Sequence, residues 1–138
     1  LRMDASGRRL WDERVAGLSD PQRHMDTRRR MIEGMFEPHD DPARRASIAE
    51  TMLGAPRHAA LASLRAIASW DSEAAIRKCK APVLNILARR PLDPAWAELM
   101  PDAFQGRTVG SGHFAQLEAP EQVNAMVRRF LEIAVRGD

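Results

Sequence analysis

One histidine stands where a side chain could take up a proton. His113 follows the tripeptide Gly110-Ser111-Gly112 in the stretch GSGHFAQLEAPEQVN. Imidazole is well suited to general-base work near neutral pH, because it gains and loses its proton in that range. The two glycines permit the backbone angles of a tight turn. The pattern therefore predicts a loop that presents His113 as a base, and the alternative is a histidine that caps or packs at a strand end.

The segments on either side of this loop predict an α/β arrangement. Residues 82–88, PVLNILA, form a continuous apolar run, which is typical of a buried strand in a parallel sheet. Residues 106–109, GRTV, predict a second short strand, and residues 93–100 predict a helix between the two with Asp93 as its N-cap. Residues 120–135 predict a long amphipathic helix. Its inward side chains are predicted to be Val123, Met126, Val127, Phe130, Leu131 and Ala134. A loop at the carboxyl end of a parallel strand lies in the crevice where α/β sheets bind ligands.

The region before these strands, residues 20–79, carries only helix signals. Asp20 and Asp41 are each followed by proline, and an N-cap with proline at the first helical position is a common helix start. The run Arg28-Arg29-Arg30 predicts a solvated helix face or local ion pairs. Four helices are expected, beginning at Asp20, at Asp41, at His58, and at Asp71 or Ser72.

The second half of the chain resembles the last part of an α/β-hydrolase fold enzyme. The segments CKAPVLNILA and GRTVGSGHFAQLEAPEQVNAMVRRFLEIA are similar to that family's penultimate strand, final strand, G-x-G-H-F loop and C-terminal helix. The resemblance implies a partial α/β-hydrolase fold, with a helical cap in residues 1–79 and the C-terminal part of the core in residues 80–138. It also implies that His113 is the general base of a catalytic triad. The implied reaction is hydrolysis of a small ester, lactone or related carbonyl substrate without a cofactor.

The other two members of such a triad are harder to find. The family's nucleophile lies in G-x-S-x-G, which does not occur in these 138 residues. Ser111 stands in the wrong segment, and we expect it to serve the backbone turn. The resemblance places the acid after the penultimate strand, where Asp93 is the candidate and the N-cap role competes. Some relatives take the acid from the preceding strand, which makes Asp4 the alternative. Asp71 resembles a recurrent family position before the penultimate strand, but we expect it to be a helix cap.

Composition restricts the classes of partner. The formal net charge is +2, from 21 Lys and Arg against 19 Asp and Glu with the signs interspersed, which argues against a nucleic-acid partner. Cys79 is the single cysteine, so an internal disulfide and a thiolate zinc site are not expected. No apolar run is long enough to span a bilayer. We expect a cytoplasmic protein that acts on a small-molecule substrate, with no metal, cofactor, nucleic acid or membrane partner.

A non-enzymatic alternative remains open. An absent nucleophile and an ambiguous acid also fit a shortened or inactive member whose helical cap is a binding or dimerisation module. Two strands make a sheet too small to be stable alone. A homodimer, or association with a missing N-terminal part, would complete it. The chain begins with Leu1 rather than methionine, which predicts a processed or truncated product.

Overall fold

The chain is mostly helical and contains a small parallel sheet, as the computed structural model describes it for residues 5–88 and 92–135. The helices are α1 (Ala5–Ser19), α2 (His24–Glu33), α3 (Pro42–Gly54), α4 (Arg57–Ser69), α5 (Ser72–Lys78), α6 (Pro94–Leu99), α7 (Ala115–Glu118) and α8 (Pro120–Val135), and the strands are β1 (Leu84–Leu87) and β2 (Phe104–Arg107). The coarse expectation of helices followed by a parallel α/β segment is confirmed. The assignment to the α/β-hydrolase fold stays a prediction. None of the helices in the described part of the chain has the length and apolar character that a membrane crossing requires.

Packing divides the described chain into two units. One contains residues 5–35 and 41–72, and the other contains residues 36–40, 73–88 and 92–135. The short segment 36–40 therefore belongs to the second unit, although α2 and α3 flank it in sequence. The predicted division into a cap over residues 1–79 and a core from residue 80 stays a prediction.

The first unit, called the helical unit below, is built from α1 to α4 around a small apolar core. Helix α1 packs against α2 and α4, and α2 packs against α3. Leu18, Ile32 and Leu64 are buried where these helices meet. A Cβ atom added at Gly17 would lie within 3.0 Å of the Thr27 side chain. Gly17 therefore lets α1 and α2 approach more closely than a larger residue would allow.

Two arginines close the ends of helices in this unit. Arg28 is only 6% exposed, and it donates to the carbonyl oxygen of Ala55 at 2.8 Å and to that of Met52 at the end of α3. Arg57 donates to the carbonyl oxygens of the last two residues of α1. Carbonyl groups at the end of a helix have no partner within the helix. The prediction that Arg28 lies on a solvated face or in an ion pair is wrong, because these carbonyls require a donor.

The helix starts in this unit were predicted in part. Helix α1 precedes the predicted helical region. The backbone N–H of Asp20 donates to the carbonyl of Ala16, and its side chain accepts from the N–H of Gln22 at 2.8 Å. Asp20 therefore belongs to the turn that ends α1, and the prediction that it caps the next helix is wrong, since α2 begins at His24. The prediction for Asp41 is confirmed, because its carboxylate accepts from the backbone N–H three residues later.

The second unit, called the sheet unit below, contains the parallel sheet. Strand β1 pairs with β2 from Leu84 opposite Phe104 to Leu87 opposite Arg107. All four residues of β1 are half-buried, which is less than the apolar run predicts for a buried strand. The physical reason is that only two strands pair within the described residues, which leaves the outer edge of each strand open.

Helix α8 covers one face of this sheet. The rings of Phe104 and Phe130 meet edge to face with centroids 5.4 Å apart. A Cβ atom at Gly106 would lie within 3.0 Å of the Met126 sulfur, so the glycine allows α8 to rest directly on β2. Of the six side chains predicted to face inward, four are half-buried and two are exposed. The exposed pair is Val127 at 38% and Leu131 at 51%.

Candidate functional site

The loop that carries His113 leaves the sheet at the carboxyl end of β2. The backbone N–H of Thr108 donates to the carbonyl of Leu87 at 2.9 Å, which continues the strand pairing one residue beyond β2. Gly110 then adopts a φ of 69°, a left-handed conformation that glycine reaches without a steric penalty. The chain turns at this glycine, as its position between strand and histidine predicted.

Two buried hydroxyl groups hold the inside of the loop. The Oγ1 atom of Thr108 donates to the carbonyl of Leu87 at 3.2 Å and lies 2.5 Å from the Oγ atom of Ser111. Because the Thr108 proton is directed at Leu87, the Ser111 hydroxyl donates to Thr108. Ser111 is only 4% exposed. Its hydroxyl therefore braces the turn and is not presented to solvent as a nucleophile would be.

Three further side chains hold the loop backbone from outside. The amide of Gln122, in the first turn of α8, accepts from the N–H of Val109 at 2.8 Å and donates to its carbonyl at 3.2 Å. The Nε2 atom of His39 lies 3.1 Å from the carbonyl oxygen of Gly110 and donates to it. The carboxylate of Glu118 accepts from the N–H of Gly112. Each residue from Val109 to Gly112 is thus tied through a backbone or side-chain hydrogen bond.

His113 itself points to solvent from this braced loop. Its ring lies 5.1 Å from the ring of Phe114 at an interplanar angle of 90°, and Phe114 lies 5.7 Å from the buried ring of Phe36. The imidazole is exposed, and within residues 5–88 and 92–135 neither ring nitrogen has a hydrogen-bond partner. A histidine in this position can exchange a proton with a molecule that arrives from solvent.

The structure does not join the candidate acid to His113. The Asp93 carboxylate is exposed and accepts from the N–H of Ala95 at 2.9 Å, with proline as the first residue of α6. This is the N-cap role that competes with the catalytic one. No hydrogen bond links Asp93 with His113 in the described part of the chain. Asp71 lies in the other unit, and Asp4 lies outside the described residues.

The side chains that hold the loop have other roles in the local sequence pattern. Glu118 and Gln122 carry the signals of a helix start, because acidic and amide residues suit the first turn, and their bonds to Gly112 and Val109 are tertiary. The sequence EPHDDP around His39 is typical of a turn, and the bond of His39 to Gly110 spans 71 residues of sequence. Local sequence carries no signal for the bond of Glu118 to Gly112 or for that of His39 to Gly110, because both depend on how the chain folds back on itself.

The described residues contain no group that suggests a bound metal. Across residues 5–88 and 92–135, no three His, Cys, Asp or Glu side chains converge closely enough to hold a metal ion. Comparison with known proteins adds no assignment, since neither a protein-family model nor a curated protein matches the chain.

Proposed function

We propose that this chain is the cap and C-terminal portion of an α/β-hydrolase in which His113 is the general base. The observation that carries the proposal is the position of His113. It lies on a braced loop at the carboxyl end of a parallel strand, with its imidazole open to solvent. Ligands of α/β sheets bind at this end of the strands. The loop order of strand, glycine turn, histidine and helix also supports the resemblance on which the proposal began.

The proposed reaction is hydrolysis of a small ester, lactone or related carbonyl compound. In the serine version, His113 accepts the hydroxyl proton as the nucleophile adds to the carbonyl, and then donates that proton to the leaving alkoxide. In the second step His113 accepts a proton from water as the hydroxide adds to the acyl-enzyme carbonyl. It then returns that proton to the serine oxygen as the acyl–serine bond breaks and the acid product leaves. The nucleophile and the oxyanion hole come from outside these 138 residues, since the chain has no G-x-S-x-G.

Asp93 remains the proposed acid, and its capping bond provides the means of testing it. Serine is as good an N-cap as aspartate, but it carries no charge that could stabilise an imidazolium. Asp93→Ser therefore keeps the start of α6 and removes the carboxylate. Loss of turnover in this variant would support the catalytic role. Unchanged turnover would leave Asp93 as a cap only.

The hydrolase proposal is tested by mass and turnover. The intact mass of the native protein shows whether further residues or a second chain accompany this one, and turnover of a p-nitrophenyl ester is then compared for wild type and His113→Ala. We expect a loss of about 100-fold or more, the range typical of a missing general base. His58→Ala removes an exposed histidine in the helical unit and serves as the matched control. A protein of 138 residues that is inert with either residue at position 113 would refute the proposal.

One observation favours a second candidate function, a binding or dimerisation module. The sheet keeps two open strand edges in the described residues, and Val127 and Leu131 are exposed on α8. Apolar groups of this size on a helix next to an open sheet suit association with a second copy. Sedimentation equilibrium of wild type and Leu131→Glu tests this candidate. A dimer that the substitution dissociates would support it, and a monomer at high concentration would exclude it.

A further inference from the structure

We propose that Glu118 is a positioning residue for His113, an inference that rests on the proposed role of His113 as the base. The Glu118 carboxylate accepts a hydrogen bond from the backbone N–H of Gly112. That N–H belongs to the residue immediately before His113. Glu118 thus reaches back across the segment that carries the histidine and closes it into a ring.

The far side of this ring is already rigid. The N–H groups of Leu117 and Glu118 both donate to the carbonyl of Phe114, at 2.7 and 3.0 Å, and form the single turn of α7. The near side is Gly112, whose backbone has the widest conformational freedom of any residue type. The bond from Glu118 is the side-chain contact that restrains this glycine, since the braces on Thr108, Val109 and Gly110 act earlier in the loop. The bonded N–H lies in the peptide between Ser111 and Gly112, so without its acceptor a rotation about Gly112 can turn the next peptide, the one that enters His113.

The direction of the His113 ring depends on that peptide. Its nitrogens make no hydrogen bond within the described residues, and its ring contact there is with Phe114, the next residue in the chain. A ring without hydrogen bonds takes its direction from its own Cα–Cβ bond and from that neighbour. The backbone on the Gly112 side is therefore the part of the site that can misdirect the base.

The second oxygen of Glu118 argues against a role in stability alone. Its Oε1 atom is shut off from solvent and has no hydrogen-bond partner among the described residues. A buried, half-satisfied carboxylate is unfavourable for folding. Departures of this kind from the rules of stable packing concentrate at functional sites. The arrangement fits a residue that leaves one carboxylate oxygen without a hydrogen bond so that the other oxygen can hold the histidine loop.

The test uses NMR spectroscopy on the 138-residue chain. Glu118→Ala removes the acceptor, Glu118→Gln keeps a carbonyl oxygen that can accept from Gly112, and Glu121→Ala removes an exposed carboxylate in the first turn of α8 as the matched control. Two signals are followed: hydrogen exchange at the Gly112 amide, and the chemical shifts of the His113 ring protons, which the neighbouring Phe114 ring displaces. In Glu118→Ala we expect Gly112 to exchange about tenfold faster or more, the change expected when a hydrogen bond to a charged group is lost. The His113 ring protons should move toward their values in an unfolded chain.

Rescue by the conservative variant separates positioning from stability. Glu118→Gln should keep the wild-type His113 shifts even if its unfolding midpoint changes, and Glu121→Ala should leave both signals unchanged. If Glu118→Ala does not fold, Glu118→Met replaces it, because methionine keeps the volume and lacks a strong acceptor. Unchanged His113 shifts in a folded Glu118→Ala or Glu118→Met would overturn the inference, as would equal loss in Glu118→Gln.

The NMR signals require no turnover, so the two proposals fail separately. If His113→Ala leaves ester turnover unchanged while Glu118→Ala gives the expected NMR changes, the hydrolase proposal is rejected. The conclusion that Glu118 fixes the backbone before His113 then still holds. If the complete enzyme is active, Glu118→Ala should lower kcat more than it changes KM, because a misdirected base affects the reaction rather than substrate binding. A change confined to KM would contradict the positioning role.

Discussion

Replacing Gly106 with alanine tests how α8 is seated on the sheet that leads to the histidine loop. The added methyl group would lie within 3.0 Å of the Met126 sulfur, 3.4 Å from its Cγ and 3.7 Å from its Cε. The last two distances are ordinary contacts, so the clash is with the sulfur alone. Gly106→Ala should therefore destabilise the sheet unit through one side chain and leave the helical unit unaffected.

The size of the effect follows from how far Met126 can move. Forcing an extra methyl group into a packed site costs about 1–3 kcal/mol. Methionine has flexible torsions and adapts to its surroundings, which places the cost near the lower end of that range. Alanine also restricts the unfolded chain more than glycine does, which raises the free energy of unfolding by about 0.4–1 kcal/mol. We expect a net loss of about 1 kcal/mol in the free energy of unfolding.

The assay must report the two units separately. Urea unfolding followed by the indole N–H signals does so, because Trp96 lies in α6 of the sheet unit and Trp11 donates to the Leu64 carbonyl at 3.3 Å in the helical unit. Gly54→Ala is the matched control, since an added Cβ there has no atom within 4 Å. It should be neutral or slightly stabilising.

A double-mutant cycle decides whether the reasoning is right. In a Met126→Ala background the sulfur is gone, so Gly106→Ala should lose its penalty and become neutral or stabilising, with a coupling energy of about 1 kcal/mol. Met126→Ala alone should destabilise the unit through lost packing. An equal penalty for Gly106→Ala in both backgrounds would refute the account.

Two further predictions concern the turn and a helix cap. Gly110→Ala should lower the free energy of unfolding by about 1–2 kcal/mol, because the φ of 69° at this position disfavours a Cβ atom. Gly110→Asn should lower it less. Equal losses for the two variants, measured by urea unfolding at the Trp96 signal, would exclude backbone conformation as the cause. Asp41→Ala should lower the free energy of unfolding by about 1 kcal/mol, because it removes the N-cap of α3, and Asp41→Ser should retain most of the stability. Urea unfolding at the Trp11 signal measures both variants. An alanine variant as stable as the wild type would show that the bond to the Arg44 N–H is unimportant.

Local chemistry explains which elements could be predicted. The caps at Asp41 and Asp93 depend on a side chain and a proline a few residues apart, and both are present in the structure. The long amphipathic helix was also correct, with the bounds Pro120–Val135. The second strand was predicted at residues 106–109 and lies two residues earlier, at Phe104–Arg107. Thr108 still continues the pairing, and the chain then turns at Gly110.

Tertiary contacts explain what could not be predicted. An apolar run such as residues 82–88 indicates a strand, but its burial depends on what lies against it, and β1 is half-buried. Arg28 has a charged side chain in a basic run, and only the carbonyls at the end of α3 reveal why it is buried. In the candidate site, the histidine was placed from its glycine turn, whereas its braces come from side chains that the sequence presents as helix or turn residues.

The two arginine clamps join pairs of helices through one side chain each. Arg28 on α2 and Arg57 on α4 each place a guanidinium against two backbone carbonyls at the end of another helix. The planar fork of N–H groups lets one side chain reach both carbonyls at once, and the single ammonium of lysine lacks that fork. An arginine-to-lysine change at either position is therefore not conservative, although it keeps the charge.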